Sequence, residues 1–183
     1  MALKATIFKA DLQVSDMDRG HYASHPLTIA RHPSETDERM MVRVLAFALN
    51  ADEALAFGKG LSTEDEPDLV QQDLTGAIDS WIDVGLPDAR RLRKASGRAR
   101  EVIVYAYGGR AVELWWASTA PEVERLRNLT VLELPLAASQ ALARLAKRSM
   151  QLQCMVQDGH AWLGDESETI EVALASRKTP GSA

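Results

Sequence analysis

Between residues 64 and 88 the chain carries Glu64, Asp65, Glu66, Asp68, Asp73, Asp79, Asp83 and Asp88 and no Lys or Arg, and Arg90, Arg91, Arg93, Lys94, Arg98 and Arg100 follow directly. Carboxylates can hold a hard cation such as Mg2+, which polarises a phosphate and activates water. Neighbouring cations can neutralise the polymer that brings the phosphate in. A solvated loop followed by a solvated helix has the same charge pattern, so the deciding question is which acids the backbone brings together.

Strand geometry narrows the set. The period of two in 78–84 puts Asp79, Trp81 and Asp83 on one face and Ile78, Ser80, Ile82 and Val84 on the other. Asp79 and Asp83 are then about 13 Å apart along the strand and cannot share one ion. If a hairpin closes through residues 74–77, residue 73 faces 78 and Asp68 faces Asp83, with Cβ atoms about 5 Å apart. Two carboxylates at that spacing repel unless a cation or a proton lies between them, so Asp68 and Asp83 are either a candidate metal pair or two exposed hairpin acids. A one-residue slip would turn one acid to the other face. Trp81 is either core or a pocket wall able to stack on a base.

The elements around this hairpin can be read from periodicity and punctuation. Residues 3–16 and 21–31 alternate as two strands of an opening hairpin. Pro33 and Ser34 start a helix that runs to about Asn50, with Ser34 as N-cap and acids in its first turn. On a helical wheel Arg39, Arg43 and Asn50 mark the solvent side, while Met40, Met41, Val44, Leu45, Ala48 and Leu49 mark the buried side. Glu38 falls on the buried arc, either as a first-turn acid still reached by water or as a third acid for the site. Pro87 and Gly97 bracket a short helix that carries the basic residues on several faces. Further along, 100–107 reads as an apolar strand, 111–116 as another strand, 121–127 as a helix, 129–134 as a strand and 136–147 as an amphipathic helix. Residues 150–157, 160–163 and 169–175 read as a closing meander. The mixture is α+β: a mixed β-sheet flanked by helices, with an N-terminal hairpin and a C-terminal meander. It forms a single domain over 1–176 followed by a disordered tail, 177–183.

With 183 residues the chain can bury a proper core, and its formal charge of -5 argues against a histone-like, charge-driven binder. One cysteine, Cys154, excludes an internal disulfide framework, predicts no disulfide-linked partner and reads as a buried thiol. No stretch resembles a secretory leader or a membrane helix, so the expected location is the cytoplasm. His21 and His25 lie on a strand and are expected about 13 Å apart, which argues against zinc. Gly58-Lys59-Gly60 and Gly108-Gly109-Arg110 lack the length of a phosphate loop.

The run Arg31-His32-Pro33-Ser34-Glu35-Thr36-Asp37-Glu38-Arg39-Met40-Met41, the stretch Trp81-Ile82-Asp83-Val84-Gly85-Leu86-Pro87-Asp88, Arg91, Lys94-Ala95, Trp115-Trp116 and Asn128-Leu129 closely resemble the YaeQ family of bacterial proteins. The likeness spans nearly the whole chain, including Met1-Ala2-Leu3-Lys4-Ala5-Thr6. That family is similar in fold to the PD-(D/E)XK, restriction-endonuclease-like nucleases, so the resemblance implies a restriction-endonuclease-like core with the acidic motif on a hairpin. Pro67-Asp68 matches the Pro-Asp element, Asp83 the second acid, and Glu38 the acid many such nucleases place on the preceding helix. Two residues after Asp83 the pattern asks for Lys and the chain has Gly85; Lys94 stands as a migrated replacement.

The expectation is therefore a Mg2+-dependent nuclease acting on nucleic-acid phosphodiesters. Asp68 and Asp83 would ligate the metal, Glu38 would orient water or complete its shell, and Lys94 would stabilise the pentavalent phosphate. Arg90, Arg91 and Arg93 would hold the flanking backbone. The competing expectation is a non-catalytic regulatory or adaptor protein with a vestigial site.

Overall fold

The structure, a computed structural model, describes residues 4–58 and 65–181; Glu64, Lys59 and Gly60 lie outside the described residues. The chain opens with β1 (Thr6–Asp16) and β2 (His21–Arg31), antiparallel with Ala10 opposite Leu27. It continues through α1 (Asp37–Leu49), β3 (Leu55–Phe57), β4 (Leu69–Gln72), β5 (Ile78–Val84) and α2 (Ala89–Arg98). Next come β6 (Ala99–Ala106), α3 (Arg110–Val123), β7 (Leu129–Glu133) and α4 (Leu136–Leu142) with a 3-10 turn, Ala143–Leu145. The chain closes with β8 (Ser149–Gln157), β9 (His160–Gly164), β10 (Thr169–Ala173) and β11 (Ala175–Lys178).

These strands form two mixed sheets, ordered β10-β9-β8-β1-β2 and β11-β7-β6-β5-β4-β3, which makes the class α+β as expected. The larger core gathers the inward faces of the first sheet, one face of β5 and β6, and helices α1 and α4. The opposite face of the second sheet packs Trp81, Val102, Val104 and Val131 against α2 and α3. Cys154 is buried in the larger core, and burial pushes its thiol up to about 12, with Asp16 adding to the effect. No helix among the described residues is long and apolar enough to cross a membrane.

Helix α1 is enclosed on all sides: Met40 to Ala48 are buried without a break. Its N-cap is Thr36, whose hydroxyl accepts from the Arg39 N–H at 3.1 Å, so the helix starts two residues later than Ser34 would have it. Arg43, expected on a solvent side, is 1% exposed. A helix surrounded by other elements has no solvent side, so the wheel's polar arc is buried too.

Three other expectations are corrected. Residues 111–116 are helical, part of α3, because β6 and β7 run parallel and a parallel pair needs a crossover over the sheet face. That helix continues through Pro121 to Val123, so no separate helix covers 121–127. At the C-terminus, Ala175 to Lys178 pair with β7 instead of fraying, and the Gly181 N–H donates to the Arg127 carbonyl at 2.8 Å.

Candidate functional site

The β4–β5 hairpin brings Asp68 and Asp83 together by a route the alternation pattern does not reveal. At the turn, Gln72 pairs with Ile78 and the Asp73 N–H donates to the Ala77 carbonyl at 2.9 Å, one residue out of the expected pairing of 73 with 78. Continued unchanged, that register would put Asp68 across from Ile82. A bulge intervenes between Gln71 and Gln72, because Gln71 pairs with Ser80, and beyond it Leu69 pairs with Ile82. One step further, Asp68 faces Asp83.

Asp73 fixes the turn itself. Its Oδ1 accepts from the Thr75 hydroxyl at 2.6 Å, the Thr75 N–H at 2.8 Å and the Ala77 N–H at 3.0 Å. These bonds, the Thr75 hydroxyl first, hold its carboxyl below the usual range. Asp79, at the bulge, pairs with Arg100 at 3.5 Å and stays apart from the site.

Both central acids are buried, Asp68 6% and Asp83 1% exposed, and each is held by an arginine. Arg91 of α2 grips Asp83 with two bonds, Nε to Oδ2 at 2.7 Å and Nη2 to Oδ1 at 2.9 Å, and donates to the Glu66 carbonyl at 2.6 Å. Arg39 of α1 donates from Nη2 to Asp68 Oδ1 at 2.8 Å and from Nη1 to Glu35 Oε2 at 2.6 Å. Asp68 Oδ2 accepts from the Val84 N–H at 2.8 Å, and the Asp68 N–H reaches Asp83 Oδ1 at 3.4 Å. Glu35 in turn accepts from Arg43 at 2.5 Å. The result is a charged chain, Arg43–Glu35–Arg39–Asp68–Asp83–Arg91, with two acids at its centre and an arginine against each, that ties α1 and α2 to the hairpin.

Burial, with the Asp83 charge adding to it, raises the Asp68 carboxyl, and Arg39 and the Val84 N–H pull against that shift. The Asp83 hydrogen bond is the main influence holding the Arg91 guanidinium above its usual value. Burial also raises Tyr107, whose phenol feels Arg39, Glu38, Glu35 and Asp68 together. That phenol therefore borders the site.

The other expected residues are placed as follows. Glu38 is half-buried near Tyr107. Among the described residues no group of three or more His, Cys, Asp and Glu is placed to hold a metal ion, so Glu38 does not complete a three-acid cluster with Asp68 and Asp83. Lys94 is turned outward, with its side chain 52% exposed and paired with Asp65. Arg90 and Arg93 are exposed, and Arg93 reaches Glu122 at 3.1 Å. Arg91 and Arg98 lie over the Trp81 ring at 5.8 and 5.2 Å; with Trp81 1% exposed, its face is core and not a platform for a base.

The backbone at Gly85 favours glycine over the lysine that a nuclease resemblance would call for there. Its φ of 101° is a conformation that side-chain-bearing residues rarely adopt, and its N–H donates to the Tyr105 carbonyl at 2.9 Å. The missed participants are Glu35, Arg39, Arg43 and Tyr107. The available signal was the spacing of Glu35, Arg39 and Arg43 at successive intervals of four, which sets one acid just before the helix start in line with two arginines on the helix.

Mg2+ binding by one or two carboxylates plus water would suit an Asp pair. Here, however, all four oxygens of Asp68 and Asp83 already accept hydrogen bonds from the protein. As arranged, the residues do not fit a resident divalent ion.

The family model described as YaeQ protein matches residues 1–174. Among curated proteins, "Uncharacterized protein YaeQ" of Salmonella typhi is 44% identical over 180 residues, covering 98% of this chain and 99% of that protein. Its Escherichia coli (strain K12) namesake is 43% identical with the same coverage. The crystal structure of YaeQ protein from Xanthomonas axonopodis pv. citri is 51% identical and superposes with a TM-score of 0.93, covering 96% of this chain and 99% of that one. The Pseudomonas syringae YaeQ crystal structure is 38% identical with a TM-score of 0.92, covering 97% and 98%. By sequence and by fold, this chain belongs to the YaeQ family.

Proposed function

We propose that the protein is a nuclease-like but non-catalytic nucleic-acid-binding module, built on a restriction-endonuclease-like core in which the acid pair has become a structural clamp. The observation that carries this reading is that every Asp68 and Asp83 oxygen already accepts a hydrogen bond, from Arg39, Arg91 or a backbone N–H, with an arginine cation against each carboxylate. The core assignment is supported by the order helix, antiparallel hairpin, then parallel β6 and β7 with a helical crossover. Binding rests on α2, which carries exposed Arg90, Arg93, Lys94 and Arg98 on a chain of formal charge -5.

Backbone binding of this kind depends steeply on salt. Fluorescence anisotropy with single- and double-stranded DNA and RNA is expected to show affinity falling linearly on a log–log salt plot. The double variant Arg90→Glu/Arg93→Glu should lower the slope by about 2. An unchanged slope, or no binding at low salt, defeats the reading.

A second reading is a Mg2+-dependent phosphodiesterase, favoured by the convergence of two buried acids across the hairpin. In it Asp68 and Asp83 would hold the ion with Glu38, and Lys94 would stabilise the phosphate. It requires Arg39 and Arg91 to release the carboxylates first.

A further inference from the structure

The inward face of β2 continues past the core as His21, Ala23 and His25, with Leu27 and Ile29 as its buried end. Both imidazoles lean along the strand over the small Ala23 side chain until their Nε2 atoms are 2.9 Å apart, which corrects the separation of about 13 Å expected from strand rise alone. The ring centroids are 5.2 Å apart with planes at 16°. That separation exceeds the N···N distance by little more than the two ring radii, so the rings meet nitrogen to nitrogen. Such a contact needs a proton on one Nε2 and a lone pair on the other.

His25 is held from behind by the Phe47 edge at 5.4 Å, and Phe47 in turn stacks on Phe57 at 5.5 Å. The pair opens on a cavity that Asp52 and Glu53 also line. Burial first, then the His21 charge and more weakly Arg19, lower His25, while Asp52 and Glu53 oppose them.

We propose that His21 and His25 bind one late first-row divalent ion of the Cu2+, Ni2+ or Zn2+ class in place of the proton they share, with solvent completing the ion's shell. Imidazole nitrogen suits these ions, whereas Mg2+ and Ca2+ take oxygen. Two nitrogens bonded at right angles to one ion, each at about 2.1 Å, lie about 3 Å apart. The observed spacing is thus already that of two adjacent ligands, and a turn of each ring directs its lone pair to the ion. The pair lies on the first sheet, so the proposal stands independently of the acid pair on the second.

The test uses full-length protein without a histidine tag, titrated with Cu2+ at neutral pH and followed by electron paramagnetic resonance. The expected result is saturation at one equivalent with hyperfine coupling from two nitrogens, unaffected by excess Mg2+. His21→Ala and His25→Ala should each leave one nitrogen and weaken binding by about tenfold or more, the loss that even outer-shell changes can bring. Circular dichroism confirms that both variants fold. No saturable binding, or a spectrum unchanged in both variants, overturns the proposal and leaves the pair as a hydrogen bond alone.

Discussion

Removing the Glu35 carboxylate leaves Arg43 buried at 1% exposure without its counter-charge and takes one partner from Arg39. Glu35→Ala should therefore cost about 3–5 kcal/mol in urea unfolding, the range for a buried pair broken on one side. Lys94→Ala should change stability by less than about 0.5 kcal/mol, because its partner Asp65 is as open to water as Lys94 itself. A larger loss at Lys94, or a negligible one at Glu35, would invert the ranking of the two charges. At this scale the sequence exposed the acids and hid their partners. Asp68 and Asp83 stand out by hairpin register, but Arg39 and Arg43 look solvated on a wheel that assumes one wet face. His21 and His25 were hidden for a related reason: rise per residue fixes backbone spacing, and side chains leaning over Ala23 close the gap.

The hairpin depends on its backbone as much as on its acids. Gly85 follows β5 at φ 101°, with open space where a Cβ would stand, so any larger residue there is strained by backbone conformation and not by a clash. Gly85→Lys should destabilise by about 1–3 kcal/mol and yield no cleavage of DNA or RNA. A stable Gly85→Lys protein that gains metal-dependent cleavage would show the site to be catalytic and short of one residue. Hairpins and the meander were legible because period-two alternation carries them. The bulge between Gln71 and Gln72 was not, since nothing in the local residues marks a register shift that only the paired strand reveals. Residues 111–116 misled because Val112, Leu114, Trp115 and Trp116 suit either element; the parallel pairing of β6 with β7 decides for a helix. β11 was invisible because Ser176, Arg177 and Lys178 lack apolar alternation, and it forms by completing the edge of β7.

Across the whole molecule, the charged chain joins α1, which lies in the larger core, to α2, which covers the far face of the second sheet, through the hairpin between them. A clamp of this kind makes Asp83 a stability residue: Asp83→Asn should lose about 3 kcal/mol, because Arg91 keeps its charge and loses its counter-ion. The expected fold class was legible from the order of elements, as were the convergence of the two acids and the family. What the acids do was not, because sequence spacing cannot say whether a cation or an arginine lies against a carboxylate. The most direct test is a Mg2+ and Mn2+ titration of wild type and Asp83→Asn, read by thermal unfolding and by cleavage of a DNA and RNA panel. The clamp predicts a lower melting temperature for Asp83→Asn, the same small metal response in both proteins, and no cleavage. A metal-dependent stabilisation and cleavage present in wild type and lost in Asp83→Asn would contradict it.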